Sequence, residues 1–129
     1  MTEIPASHLP LLEQPNIGHL ATLRPDGVIQ LNDMWFLYDG ENIRFTHTNA
    51  RVKFRNLQLN PAMTLSVTDR DDDYRYLELR GRLIETIDDP TGAFYQELDR
   101  RYGAESPPPP KDAAHRVILV MGIDSVNAH

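Results

Sequence analysis

The sequence has no cysteine. That absence removes disulfide staples, thiolate metal sites and a thiol nucleophile together. It also lacks a surplus of base: 13 Lys and Arg stand against 19 Asp and Glu, a formal net charge of −6. A field of that sign repels phosphate backbones and anionic bilayers, so neither a broad nucleic-acid footprint nor a polybasic membrane contact is expected. Nor do bases interleave with aromatics along the strand-like runs, as an oligonucleotide-binding barrel would need. No run approaches the roughly 20 apolar residues of a membrane-spanning helix, and no charged segment followed by an apolar stretch opens the chain. These absences predict a cytoplasmic protein.

Chemical motifs are equally scarce. No G-x-G-x-x-G follows a strand-like run, which argues against a Rossmann dinucleotide site. The five histidines, His8, His19, His47, His115 and His129, lack metal-ligand spacing such as i, i+4 on one helix. Ser66 and Ser125 have no nucleophile-elbow context. The run "DRDDD", Asp69 to Asp73, lacks the Gly and distal Glu of a calcium loop and reads as a solvated turn. No metal site is expected, and no Ser-His-Asp arrangement is suggested.

What the chain does have is alternation. Its 129 residues make one domain, residues 1–129, long enough to bury about two-thirds of its unfolded surface around one core. A short helix around Ser7 to Gln14, with Ser7 as its cap, is followed by a strand from Ile17 to Leu23 and a Pro25-Asp26-Gly27 turn. A long strand then runs to Tyr38, and Asp39-Gly40 turns the chain into a strand from Asn42 to Thr48, since both residues tolerate positive φ. These three strands predict a meander. "AMTLSVTD" alternates Met63, Leu65 and Val67 against Thr64, Ser66 and Thr68, and "YRYLELRGRLIET" places Leu77, Leu79 and Leu83 inward with a bend at Gly81. Asp89-Pro90 opens a helix in which Phe94, Leu98 and Tyr102 recur every four residues and Gly103 is the stop. "ESPPPPKD" predicts an extended strap, and "RVILVMGI" a last buried strand. The sum is mainly β: a six-stranded, closed or nearly closed antiparallel barrel with two to three short helices.

Between the third and fourth strands lies "NARVKFRNLQLNP", residues 49–61. Ala50, Phe54 and Leu57 form one apolar stripe, and Asn60-Pro61 ends the segment, so a helix capped by Asn49 is expected. Arg51, Lys53 and Arg55 crowd its start. The first turn of a helix carries about half a positive charge and unsatisfied N–H groups, so a cation there is disfavoured by about 0.3–1 kcal/mol. A bound phosphate reverses the sign: it takes backbone N–H bonds, a forked pair from Arg51 and a point charge from Lys53. Local composition also admits long side chains snorkelling to surface acids. Arg55 lies a turn further on and reads as a surface residue, while Asn56 is placed to tie the helix to a neighbouring strand. Beside the helix, Thr46 and Thr48 share one strand face, Gln30 and Asn32 another; taken alone these read as solvent-facing barrel positions, and beside a phosphate site they make a surface on which a flat, polar-edged ring can lie. His47 alternates with Thr46 and Thr48 and is expected on the opposite side, in the core or at a subunit interface. Trp35, between apolar neighbours, is expected in the core or at an interface before a substrate platform.

The stretch from "LATLRPDG" through "TNARVKFRNLQLNP", followed by "YRYLELRGRLIE" and "HRVILV", resembles the split β-barrel flavin and deazaflavin oxidoreductases of the pyridoxamine 5′-phosphate oxidase-like superfamily. The likeness runs from about Ile17 to Val126. Its most specific piece is Arg51-x-Lys53-x-x-Asn56-Leu57, and "YRYLELRGR", Tyr74 to Arg82, is similar to the branch using the deazaflavin F420. The resemblance implies an FMN-binding type of split barrel and a homodimer with cofactor grooves between subunits. It implies phosphate held by Arg51 and Lys53, with Asn56 close by, and a ring over Gln30, Asn32, Thr46 and Thr48. It also implies hydride transfer between F420 and a small organic substrate, with FMN as the alternative cofactor on the same fold. A non-catalytic protein that holds the cofactor or a tetrapyrrole is a further alternative. The chain departs from the common pattern at Asn32-Asp33, where similar proteins carry a small residue and a proline.

Overall fold

A computed structural model describes residues 3–129. Among these described residues the chain forms three α-helices, a single 3-10 turn and seven strands, in the order α1 (Leu9–Glu13), β1 (Gly18–Leu23), β2 (Ile29–Met34), β3 (Leu37–Tyr38), β4 (Ile43–Thr48), α2 (Val52–Leu59), β5 (Ala62–Asp69), β6 (Asp72–Asp88), α3 (Ala93–Arg101), the turn at Ala113–His115, and β7 (Arg116–Ala128). One antiparallel sheet holds every strand, in the spatial order β2-β1-β5-β6-β7-β4-β3. Its two edge strands, β2 and β3, are consecutive in the chain. The sheet curls until a two-residue link joins its margins, which makes it a split barrel.

The expected long strand to Tyr38 is therefore two strands, and the six expected strands become seven. The break falls at Trp35-Phe36, and its cause is remote in sequence. The Phe36 N–H donates to the Tyr102 hydroxyl at 3.1 Å, and its carbonyl accepts from Arg101 Nε at 3.0 Å. Both backbone groups are thus claimed by the end of α3 and lost to a strand ladder. The meander holds in halves: β2 pairs with β1, β3 with β4.

Local chemistry corrects several boundaries. Ser7 does not cap α1; its Oγ bonds His8 Nδ1 at 2.8 Å, and His8 is the N-cap residue. Asn49 does not cap α2 either. Its N–H donates to the His115 carbonyl at 3.0 Å, and the N-cap position falls to Arg51. Before α3, Gly92 takes φ 72° at the N-cap while the buried Asp89 carboxylate accepts the N–H groups of Phe94 (3.2 Å) and Tyr95 (3.4 Å), a cap delivered from outside the helix. The proline strap lies on α3: Gln96 Nε2 donates to the Pro107 carbonyl at 3.0 Å.

The core sits inside the curl. Leu20, Phe36, Ile43, Phe45, Leu65, Val67, Leu77, Leu79 and Leu119 are fully buried, with Leu57 from α2 closing one end and Leu11 and Leu12 from α1 the other side. The long β6 bends at two irregularities, Arg80/Gly81 and Leu83/Glu85. At the first, a Cβ on Gly81 would lie 1.7 Å from the Gly122 carbonyl oxygen, so the β6 and β7 backbones touch where any side chain would part them. Trp35 is 37% exposed and stacks on Tyr102, ring centroids 4.7 Å apart.

Candidate functional site

β2 has an unusual polarity. In register with β1, its inward row is Gln30, Asn32 and Met34, opposite Thr22, Leu20 and Gly18, whereas Ile29 and Leu31 point outward and are 68% and 66% exposed. An edge strand that turns amides in and aliphatics out has a use for both faces.

The inward row forms one wall of a cleft of about 360 Å³. β4 contributes His47 to it, and the head of α2 contributes Ala50, Arg51, Val52 and Lys53. Arg51 at the N-cap makes no side-chain cap bond, and the first turn of α2 holds no acid. The N–H groups of that turn therefore point outward beside two cations. Lys53 is 6% exposed, and the polar contact of its Nζ is the Met34 sulfur at 3.7 Å, a weak acceptor. Neither Arg51 nor Lys53 has a carboxylate within 4.0 Å among the described residues. Burial, and then the Arg51 charge, push the Lys53 ammonium down to about 8. His47, 7% exposed, is pushed down to about 4 by burial and by the charges of Lys53, Arg51 and Arg116.

Unsatisfied polar atoms collect here. Asn32 Oδ1 and His47 Nε2 are buried without a hydrogen-bond partner, and so is Asn56 Nδ2. Asn56 lines an adjoining cleft of about 330 Å³ that shares Gln30 and Val52 with the first. Each such atom costs about 1–3 kcal/mol unless a ligand satisfies it. Two cations without an ion-pair partner within 4.0 Å, an open helix start and orphaned amide and imidazole groups are the donor set that suits a phosphate with a polar-edged ring attached.

The structure brings Gln30, Asn32, Arg51 and Lys53 together in one cleft, with Asn56 in its extension. Thr46 and Thr48 lie outside that lining, on the other side of β4; Arg116 Nη1 donates to Thr46 Oγ1 at 3.5 Å, and Thr48 is buried. His47 does oppose the two threonines, as alternation predicts, yet its side opens on the cleft and not on closed core. That residue and Met34 were missed from sequence. The signal for His47 was its position one turn of chain before the bases, on the inward row of β4. Among the described residues no cluster of His, Cys, Asp or Glu could hold a metal ion, and no helix is long and apolar enough to cross a membrane.

A curled antiparallel sheet whose margins meet through one link, with a cationic helix start facing the edge strand, defines a split barrel of the pyridoxamine 5′-phosphate oxidase type. The family model described as pyridoxamine 5′-phosphate oxidase matches residues 4–129, and the chain belongs to that family. A solved structure named F420 reductase is 51% identical, over 96% of this chain and 98% of its own, with a TM-score of 0.93. Similarity of fold extends to a conserved hypothetical protein of Mycobacterium tuberculosis (21% identity, 98% and 84% coverage, TM-score 0.76) and to General Stress Protein 26 of Bacillus anthracis (19%, 94% and 93%, 0.68). Among curated proteins no match was found.

Proposed function

We propose that the protein is an F420-dependent oxidoreductase that transfers a hydride between the deazaflavin and a small organic substrate. The observation that carries this reading is the 51% identity, across nearly both full chains, to the structure named F420 reductase. The cleft supplies a physical reason for it. Arg51, Lys53 and the first N–H groups of α2 would hold the phosphate; Gln30 and Asn32 would meet the polar edges of the ring, and Asn56 would reach the portion lying in the adjoining cleft. When bound, the deazaflavin supplies the hydride-transfer chemistry, so the protein's share is to bind, orient and exclude water.

A second copy of the chain completes the proposal. Leu31 pairs with Ala21, and Ile29 with Leu23, so four apolar side chains share the outer face of β1 and β2, around a shallow depression that Ala62 also lines. Val28 and Ile17 are exposed at its margins. Burying a side chain of this kind against a partner gains about 1.5–3 kcal/mol, and a homodimer formed on β2 would place the second subunit directly behind the cofactor wall.

The test is equilibrium binding of F420 and of FMN to the same preparation, with Arg51→Ala and Lys53→Ala alongside. Submicromolar F420, weaker FMN, and a loss of about 1–3 kcal/mol for each charge removed are expected. Preference for FMN would transfer the reading to the flavin, and equal binding by both variants would remove the phosphate from this cleft. Steady oxidation of reduced F420 by any acceptor excludes a purely sequestering protein.

A further inference from the structure

His47 sits where the proposed site has no obvious need of it. It is more than nine-tenths buried, it lines the cleft beside Arg51 and Lys53, and its Nε2 has no hydrogen-bond partner. The charges that reach it come from two elements. α2 presents Arg51 and Lys53, and β7 presents Arg116. Arg116 is committed elsewhere: it forks onto the Asp112 carboxylate at 2.9 and 3.2 Å and lies over the Tyr95 ring at 4.6 Å. Asp112 is hydrogen-bonded to Arg116 and also feels the Arg51 charge, β2 offers the neutral Gln30 and Asn32, and no carboxylate within 4.0 Å pairs with His47 among the described residues.

We propose that His47 is the third arm of the anion cradle and takes up a proton when a phosphate-bearing ligand enters, so that binding is coupled to proton uptake at this imidazole. The inference rests on the reading that this cleft takes a phosphate. In the free protein the imidazole is neutral, because a third cation beside Arg51 and Lys53 in a buried setting is opposed by both repulsion and desolvation. A bound phosphate reverses the local potential. One proton then moves from solvent to the ring, no other bond changes, and the buried Nε2–H gains the acceptor it lacks. A histidine serves better here than another lysine or arginine, since it adds its charge only when there is an anion to meet it.

The experiment follows the imidazole Cε1–H resonance of His47 by proton–carbon correlation NMR from pH 4 to 8. It is run on the protein alone and with saturating F420, FMN or inorganic pyrophosphate. The resonance is assigned from His47→Gln, or, if that variant does not fold, by elimination through substitution of the other four histidines in turn. Alone, His47 should titrate at the bottom of the range; with ligand, its midpoint should rise by at least one pH unit. An unmoved midpoint with F420 bound overturns the proposal while leaving the F420 reading intact. A raised midpoint with pyrophosphate and no binding of either cofactor supports the proposal and overturns that reading. If none of the three binds, both fall.

Discussion

Lys53 is held at a cost. Lys53 as a whole is 6% exposed, its ammonium lies against a sulfur atom, and its pKa falls from 10.5 to about 8. Because the folded state binds this proton less tightly than the unfolded chain does, the penalty is full below pH 8 and disappears only as pH rises toward 10.5. Lys53→Met keeps the stem's packing and removes the charge. It should stabilise the ligand-free protein by about 1–2 kcal/mol, discounted for water at the cleft mouth, and should abolish most phosphate-dependent affinity. Thermal unfolding with and without F420 checks both halves, and a destabilised Lys53→Met would show the amine to be structural. His47 carries the same sign in a different window. Its folded pKa of about 4 lies below the ordinary 6.5, so on acidification the unfolded chain takes the proton first, and stability present above pH 6.5 is lost as pH falls toward 4. Between pH 7 and pH 5 the ligand-free protein should lose about 1–2 kcal/mol in urea titrations, a loss that His47→Gln should not show. The bases were legible in sequence because their sign is wrong for a helix start, whatever the fold. The role of His47 was not, because inward on β4 means core along Ile43 and Phe45 and becomes cleft only at the strand's last turn.

Elements with an internal period were read closely. β5 and β6 alternate so regularly that Met63, Leu65, Val67, Leu77 and Leu79 were placed inward from sequence and are buried. The break between β2 and β3 could not be read, because nothing in "DMWFLY" forbids a continuous strand. It follows from Tyr102 and Arg101, 66 and 65 residues away from Phe36. Arg101 does more from the same position, donating to the carbonyls of Leu12 (2.9 Å), Glu13 (3.0 Å) and Gln14 (2.8 Å) where α1 ends. One helix thus fixes both the strand break and the end of α1, and the seating of α3 matters beyond its length. Asp89 is what starts it. Asp89→Ala leaves the Phe94 and Tyr95 N–H groups without their acceptor and should lower unfolding free energy by about 1–2 kcal/mol, with Asp89→Asn retaining roughly half. An unchanged urea midpoint for Asp89→Ala would mean that Gly92 alone sets the helix start.

At the scale of the molecule, β2 has two unlike faces. Its inward amides line the cleft and its outward aliphatics are exposed, so under the proposed function assembly and cofactor binding would share one strand. Leu31 makes little contact within the protomer, being 66% exposed. Leu31→Asp should therefore leave protomer stability within about 0.5 kcal/mol and yield a monomer by sedimentation equilibrium. If the partner's chain helps close the site, F420 affinity should fall with it. A dimer that survives Leu31→Asp would move the interface to another face. The barrel was legible from sequence as alternating runs and turns, one strand short of the seven that form, and β2's aliphatics stood in plain view. Which face of β2 looked inward was not legible, since Gln30 and Asn32 on one row and Ile29 and Leu31 on the other fit either assignment until β1 fixes the register.

The contact of Gly81 with Gly122 lies near the middle of the strand order, while the walls of the cleft, β2 and β4, stand toward its two ends. Asn32 and His47 line one cleft only because the sheet is rolled, and β6 breaks its register with β7 where two bare backbones touch. A lone methyl group wedged into that seam would flatten the scroll and draw its lips apart. If the cleft takes the anion proposed for it, affinity would then be lost with every cleft side chain still in the sequence, and the grip on the guest would be set partly by a spot where no side chain fits.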